Sequence, residues 1–146
     1  MIFEPFNPLL KRHADYFQSM PCQLCNDTRG FMAVDKNLKV MGAVIFEQFT
    51  PNAAQATIQI TNPMCLRPDG LITEAAYFIY DICGRSTIFA MIRESNVESL
   101  KVSYKLGYKF EYKIKGGFYE DEDLIMLRMD KEDCKLYNPA LIKEAA

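Results

Sequence analysis

The six residues Thr87 to Ile92, "TIFAMI", constrain the fold of this chain more than any other stretch. The run is almost continuously apolar, so as a strand it has no face to offer water and must lie inside a sheet with both faces covered. A helical pattern stands on each side of it. Before it, "PDGLITEAAYFIYDICG" reads as a helix from about Pro68 to Cys83, stopped by Gly84. After it, "RESNVESLKVSYKLGY" (Arg93 to Tyr108) places Val97, Leu100, Val102 and Leu106 at mixed three-to-four spacing, so that one face of a second helix can be buried. Ser95 with Glu98 three residues on predicts a capping box at its start, and Gly107 supplies the left-handed residue that ends it.

The flanking sequence fills in the sheet. "NPLLKRHADYFQSM" suggests a short helix, and "GFMAVD" (Gly30 to Asp35) a strand. Lys36-Asn37 turns the chain into a second strand from about Leu38 to Phe49, which makes a hairpin. Thr-Pro-Asn at residues 50 to 52 breaks the pattern, and "AQATIQIT" (Ala54 to Thr61) alternates as a third strand. "YKFEYKIK" and "EDLIMLRMD" give two more strands around Gly116-Gly117 and an acidic tip, Glu120 to Asp123. The order is helix, three strands, helix, strand, helix, two strands. That is an α+β fold with a mixed, mostly antiparallel sheet flanked by helices, in one domain over residues 1 to 146. The buried Thr87 to Ile92 strand is expected beside Ala54 to Thr61, with the two diverging near Thr61.

Several function classes are set aside by composition. At 49% hydrophobic and 25% charged residues the chain is an ordinary globular sequence. A formal net charge of −2 with no basic stripe offers nucleic acid no footprint. No apolar run approaches the roughly 20 residues of a membrane span, and "MIFEPFNPLLKRHADYF" lacks a signal-peptide core, so a cytoplasmic location is expected. Cys22 and Cys25 form a single C-x-x-C, with Cys65, Cys83 and Cys134 scattered. A structural zinc site wants a second such pair, and a redox motif wants a helix where a turn and strand follow. Isolated thiols and no metal are the expectation.

Two motifs remain in the helix after the buried strand. Asn96-Val97-Glu98-Ser99 is an N-x-x-S at its start, and Lys105-Leu106-Gly107-Tyr108 is a K-L-G-Y at its end. With the order of elements, they make the chain resemble the Gcn5-related N-acetyltransferase superfamily (acyl-coenzyme A N-acyltransferases) over nearly its whole length, including its short, divergent members, some of them encoded by bacteriophages. The resemblance implies acetyl-coenzyme A as cosubstrate. It would run from the loop at Arg67, Gly70 and Leu71, past the end of the third strand at Ile60 and Thr61, to Asn96 and Ser99. The loop departs from the family pattern Q/R-x-x-G-x-G/A. Arg67 and Gly70 match, Ile72 stands where Gly or Ala belongs and is expected to crowd the phosphates, and Asp69 adds a negative charge. Read without the family, Asn96 and Ser99 are solvated polar positions on a core helix.

Acetyl transfer to an amine needs a base for the amine, backbone amides for the oxyanion and an acid for the leaving thiolate. Many relatives supply that acid from a Tyr four residues before the helix-ending Gly. Here that position is Ser103, so Tyr104, about 100° around the helix, is the catalytic candidate. Among Glu47, Gln59 and Thr61 only Glu47 can take a proton near neutrality, given a raised pKa. His13, beside Lys11 and Arg12, reads as a surface residue. Direct transfer to a primary amine, on a small molecule, a protein N-terminus or a lysine, is expected rather than an acetyl-cysteine route. Cys65 is the thiol nearest the cofactor, and its thiolate would need a cation such as Arg67. Two alternatives stay open. One is a catalytically eroded protein of this fold serving as a binding or structural (for example virion) module. The other is an unrelated α+β domain that binds a protein through Tyr108, Tyr112, Phe118 and Tyr119. The acidic tip is either a lure for a cationic acceptor or a solvated turn.

Overall fold

The computed structural model describes residues 1–137 as one seven-stranded sheet in the order β1-β2-β3-β4-β5-β7-β6. The strands are β1 (Ile2–Pro5), β2 (Arg29–Val34), β3 (Val40–Glu47), β4 (Ala53–Ile60), β5 (Thr87–Arg93), β6 (Lys109–Tyr119) and β7 (Glu122–Asp130). The helices are α1 (Lys11–Gln18), α2 (Leu71–Tyr77, continued by a π turn over Phe78–Ile82) and α3 (Val97–Leu106). All neighbouring strands pair antiparallel except β4 and β5, which are parallel. The apolar run Thr87 to Ile92 is an interior strand, as its composition requires.

β1 is the element missing from the sequence reading. Four residues ended by a proline carry too little pattern to identify a strand. Its place is set by pairing to β2, Ile2 opposite Val34 through Pro5 opposite Phe31, and by Glu4. Both carboxylate oxygens of Glu4 accept from Arg12 of α1, from Nε at 2.9 Å and from a terminal guanidinium nitrogen at 2.5 Å. His13 corrects the surface assignment: it is fully buried. The Asn7 N–H donates to its Nδ1 (3.0 Å), so Nε2 carries the ring proton and donates it to Glu4 Oε1 (3.0 Å). An apolar environment, with Phe6 stacked on the ring, accommodates the histidine because both nitrogens are satisfied.

Two other boundaries differ. α2 begins at Leu71 rather than Pro68. The chain first makes a 3-10 turn over Pro63–Leu66, and Gly70 packs where a Cβ would lie 2.7 Å from the Cys65 carbonyl oxygen. α3 is capped by Asn96, whose Oδ1 accepts from the Ser99 N–H at 3.3 Å, and not by Ser95. Gly107 ends it at φ 117°, in the left-handed region. Tyr108, offered above as an exposed aromatic, is buried, whereas Tyr112, Phe118 and Tyr119 are exposed.

The core divides by face. Val44, Phe46, Ala54, Ala56 and Ile88 pack with Leu71, Ile72, Ala75 and Ile79 of α2. Met32, Val34, Ala43 and Ile45 pack with Met20, Tyr16 and Phe17 at and after α1.

Candidate functional site

β4 and β5 pair only over Ala53–Thr87, Ala54–Ile88 and Gln55–Phe89. They separate from Ala56 onward, five residues earlier than the Thr61 expected from sequence. Each strand remains bound to its other neighbour, β4 to β3 as far as Ile60 and β5 to β7 as far as Arg93. The sheet therefore opens into a wedge, a cleft of about 650 Å³. Its walls are β4 from Gln55 to Ile60, β5 from Ala90 to Arg93, and Asn96, Ser99, Val102, Ser103 and Leu106 of α3, with Pro21, Phe118 and Leu124 at its margins.

The hydrogen-bond phase fixes what this wedge displays. Thr61 N–H donates to Met41 O (2.8 Å) in the β3–β4 register, so alternate residues of β4 bond to β3 and the peptide groups of Ile58 and Ile60 face the cleft. On the other wall, Glu94 N–H donates to Asp123 O (3.1 Å), which by the same alternation turns the peptide groups of Met91 and Arg93 inward. The Arg93 carbonyl is taken by the Asn96 N–H (3.0 Å). Among the described residues, the Ile58, Ile60 and Met91 amides have no ladder partner. Two strand edges, normally a liability, thus face one another inside the protein.

Charge in the cleft is sparse: Arg93 and Glu98 are its charged lining residues among those described. Arg93 is committed. Its Nε and a terminal nitrogen donate to the two oxygens of Glu122 (2.9 and 2.6 Å), and the guanidinium lies over the rings of Phe118 and Tyr119 (4.5 and 5.3 Å to the centroids). Ser95 adds its hydroxyl and its N–H to the same carboxylate. Arg93 first, then Ser95, hold the Glu122 carboxyl down at about 2. The acidic tip is therefore half occupied: Glu122 is bound to Arg93, Asp123 accepts from the Gly116 N–H (2.9 Å), and Glu120 and Asp121 are left at the turn.

Of the residues singled out from sequence for the cofactor and the chemistry, Gln59, Ile60, Asn96 and Ser99 come together in the cleft. Thr61, Arg67, Gly70, Leu71, Glu47 and Tyr104 do not line it. Thr61 Oγ1 is bonded to the Tyr16 hydroxyl (2.7 Å), Leu71 is buried in the core, and Arg67 and Tyr104 are exposed. Gly70 is buried in the loop following β4. Ile72 corrects the expected crowding: its side chain is buried among Val44, Phe46 and Ala75 and leaves the loop unobstructed. Glu47 is paired in register with Gln55, a lining residue, and so stands one strand behind the wall. It is 8% exposed, and burial, with Asp27 adding a like charge, pushes its carboxyl above the usual range. Cys65 is fully buried, and burial pushes its thiol up rather than down, opposite to what a thiolate nucleophile requires. Ser103, the position at which the family resemblance implies a tyrosine, lines the cleft.

The sequence reading missed Pro21, Phe118, Val102 and the Met91–Arg93 wall. The inward-facing half of β5 looks like the rest of a buried strand, and only its separation from β4 turns it into a wall.

No family model matches the chain, and no curated protein matches it in sequence. Solved structures do. A point mutant of the spermidine N-acetyltransferase SpeG from Vibrio cholerae superposes with a TM-score of 0.64 at 17% identity, over 79% of this chain and 70% of that one. A chimera of that enzyme with hSSAT matches with a TM-score of 0.61 at 16% identity, over 82% and 78% of the two chains. A second such chimera gives 0.62 at 16% identity, over 73% and 70%. With the parallel β4–β5 pair opening over α3, this chain has the fold of the Gcn5-related N-acetyltransferases.

Proposed function

We propose that the protein is an acetyl-coenzyme A-dependent N-acetyltransferase acting on a primary amine by direct transfer. The observation that carries this reading is the wedge between β4 and β5, where the Ile58, Ile60 and Met91 amides face a cleft without ladder partners among the described residues. A linear ligand with its own amides can lie between such edges as an added strand does, and about 650 Å³ is within the range of cofactor pockets. Acetyl-coenzyme A would supply the activated acetyl thioester. The residues fit it: the wall is mainly apolar, Ile72 leaves the loop open, and Asn96 and Ser99 stand at the cleft margin.

The inward amides of β4 and β5 would polarise the acetyl carbonyl as it gains negative charge. The amine nitrogen bonds to that carbon as the carbon–sulfur bond breaks. The amine's proton passes to water, and through water to Glu47 one strand behind the wall, whose carboxyl is pushed above the usual range by burial. The thiolate takes a proton from solvent or from Ser103 as a relay, since Tyr104 lies outside the cleft. No covalent enzyme step is needed, in keeping with the buried Cys65 thiol. Spermidine is the first acceptor to try, because the structural neighbours are spermidine N-acetyltransferases.

The test is a thermal-shift and calorimetric titration with acetyl-coenzyme A, then turnover with polyamines, N-terminal peptides and lysine peptides. Saturable binding with turnover is expected, and Cys65→Ser should retain activity within a few-fold. Collapse of turnover in that variant with binding intact would overturn direct transfer. Absence of binding would overturn the whole reading. Ser103 at the acid position favours a second reading, a coenzyme A-binding module without turnover. Binding with no product from any acceptor would select it.

A further inference from the structure

The face of the sheet that carries α1 is only half covered. α1 and the residues after it pack on Met32, Val34, Ala43 and Ile45 of β2 and β3. Across the cleft, β5 and β7 turn Ile88, Ala90, Ile125, Leu127 and Met129 to the opposite face, where they join the core under α2 and α3. Their alternate residues point to the α1 face. Phe89 pairs with Gln55, and Gln55 shares its side of β4 with Thr57, the partner of Ile45. No helix among the described residues packs on that half.

Register sets the layout of this bare patch. Met91, Met126 and Tyr112 form one row across β5, β7 and β6, and Arg93, Leu124 and Ile114 form the next. At a strand spacing of about 4.8 Å each row reaches about 10 Å from the cleft wall. Met91, Leu124 and Phe118 also line the cleft, so patch and cleft are continuous. Met91, Tyr112 and Phe118 are exposed.

Charge on the patch cancels in pairs. Arg93 is bound to Glu122, and Arg128, opposite Phe89, is bound to Asp130 (2.9 Å). Glu120 and Asp121 make no ion pair among the described residues, but they stand at an exposed turn, where a carboxylate is worth little to a cation. The described cleft lining holds no histidine and no acid but the exposed Glu98, and Glu47 lies one strand behind. A polyamine, with several charges that each want a partner, finds few here. The same scarcity bears on the nucleophile, since an amine attacks only when neutral. A lysine amine titrates near 10.4 and an α-amine near 7.7–8.0, so at neutral pH the α-amine offers on the order of a few hundredfold more nucleophile. A cleft so poor in bases favours that amine. An α-amine also has its first side chain on the neighbouring carbon, where an apolar surface beginning at the cleft wall can meet it.

We propose, resting on the acetyl-transfer reading above, that the acceptor is the N-terminal amine of a peptide whose first side chains are apolar and lie on the Met91–Met126–Tyr112 patch. Methionine and aromatic side chains are enriched on surfaces that bind peptides and proteins. The patch selects the acceptor, and spermidine, the substrate named for the structural neighbours, is a poor one here.

The experiment compares kcat/KM for four acceptors with saturating acetyl-coenzyme A. They are a tetrapeptide amide with apolar residues at its first three positions, the same peptide with aspartate at positions two and three, an Nα-blocked peptide offering only a lysine amine, and spermidine. The apolar peptide should exceed each of the others by about tenfold or more. Met126→Lys should raise its KM by about tenfold with kcat and acetyl-coenzyme A affinity unchanged, and should improve the aspartyl peptide. Tyr112→Ser, at an exposed position, should raise KM for the apolar peptide by about threefold in a fully folded protein. Spermidine or the lysine peptide matching the apolar peptide would overturn the proposal and leave acetyl transfer standing. Calorimetry with the apolar peptide alone separates the two readings. Peptide binding that Met126→Lys weakens, in a protein that does not bind acetyl-coenzyme A, would support the docking patch and overturn acetyl transfer. A peptide neither bound nor acetylated would overturn the proposal. So would a change in sedimentation on Met126→Lys with peptide affinity unmoved, which gives the patch to a second copy.

Discussion

The β1–α1 corner and the cleft margin contain the same device with opposite surroundings. At the corner Arg12 grips both oxygens of Glu4, and His13 completes the set. At the margin Arg93 grips both oxygens of Glu122, and Ser95 completes the set. Each arginine holds its glutamate carboxyl at about 2. The corner fork ends on a fully buried, fully bonded histidine and lies away from the cleft. The margin fork stands beside the amides of Met91 and the cap of α3, and its arginine lines the cleft. Identical polar chemistry is therefore structural where its neighbours are satisfied and positions a site where they are not. The buried polar groups show the same contrast: His13 has partners at both nitrogens, whereas the Tyr108 hydroxyl, buried in a residue that lines the cleft, has none among the described residues.

The largest effect that would sharpen this contrast is at His13. His13→Ala removes a buried ring and strands the Asn7 N–H, and it should cost about 2–4 kcal/mol in urea unfolding. Below its melting temperature the variant should bind acetyl-coenzyme A like the parent. A weakened affinity in the folded variant would break the division between corner and cleft. Asn96→Ala should cost less, about 0.5–2 kcal/mol, by removing the α3 cap. Asn96→Asp keeps the cap oxygen and loses the amide donor, so stability near the parent's with reduced acetyl-coenzyme A affinity would assign Asn96 to the ligand as well as the helix. If calorimetry finds Asn96→Asp binding like the parent, Asn96 is a cap alone.

Tyr108→Phe has the opposite sign. Deleting a desolvated hydroxyl that gains no bond should leave stability unchanged or raise it by about 1 kcal/mol. A loss comparable to that at His13 would mean the hydroxyl has a partner after all. Acid should act on both forks in the same direction. Each glutamate's folded pKa is depressed, from the ordinary 4.5 to about 2, so its contribution is complete above about pH 4.5 and is lost as pH falls towards 2. Glu4→Gln and Glu122→Gln should each flatten the fall in urea midpoint across that window, modestly, because both carboxylates touch solvent. The smallest effect is at Tyr104, exposed on α3 outside the cleft. Tyr104→Phe should change stability by less than about 0.5 kcal/mol and leave turnover unaltered. A large drop in turnover would restore it as the proton donor.

Much of the fold was legible because its elements carry period and punctuation. The apolar run Thr87 to Ile92 announced an interior strand, Gly107 its helix end, and Lys36-Asn37 the hairpin. The N-x-x-S of α3 marked two residues that do reach the cleft, Asn96 and Ser99. β1 was not legible, because four residues have no period to read. The burial of His13 was equally hidden. Flanked by Lys11 and Arg12 it looks solvated, and its partners, Glu4 and Asn7, lie on the segment before the helix. Ile72 looked like an obstruction at the phosphate loop, and only the direction of its side chain into the core removed the objection.

Local pattern by itself determined which segments are strands and helices and where α3 ends, since periodicity, apolar runs and glycine conformations act over a few residues. The tertiary structure alone decided where β4 leaves β5 and which amides are left facing the gap. The separation follows from each strand's pairing with its other neighbour, β3 for β4 and β7 for β5. Hydrogen-bond phase is inherited across a sheet from strand to strand, so the inward turn of the Ile58 and Met91 amides is written in residues tens of positions away. A sequence lists the groups that can bond, and only the assembled sheet leaves some of them without a partner.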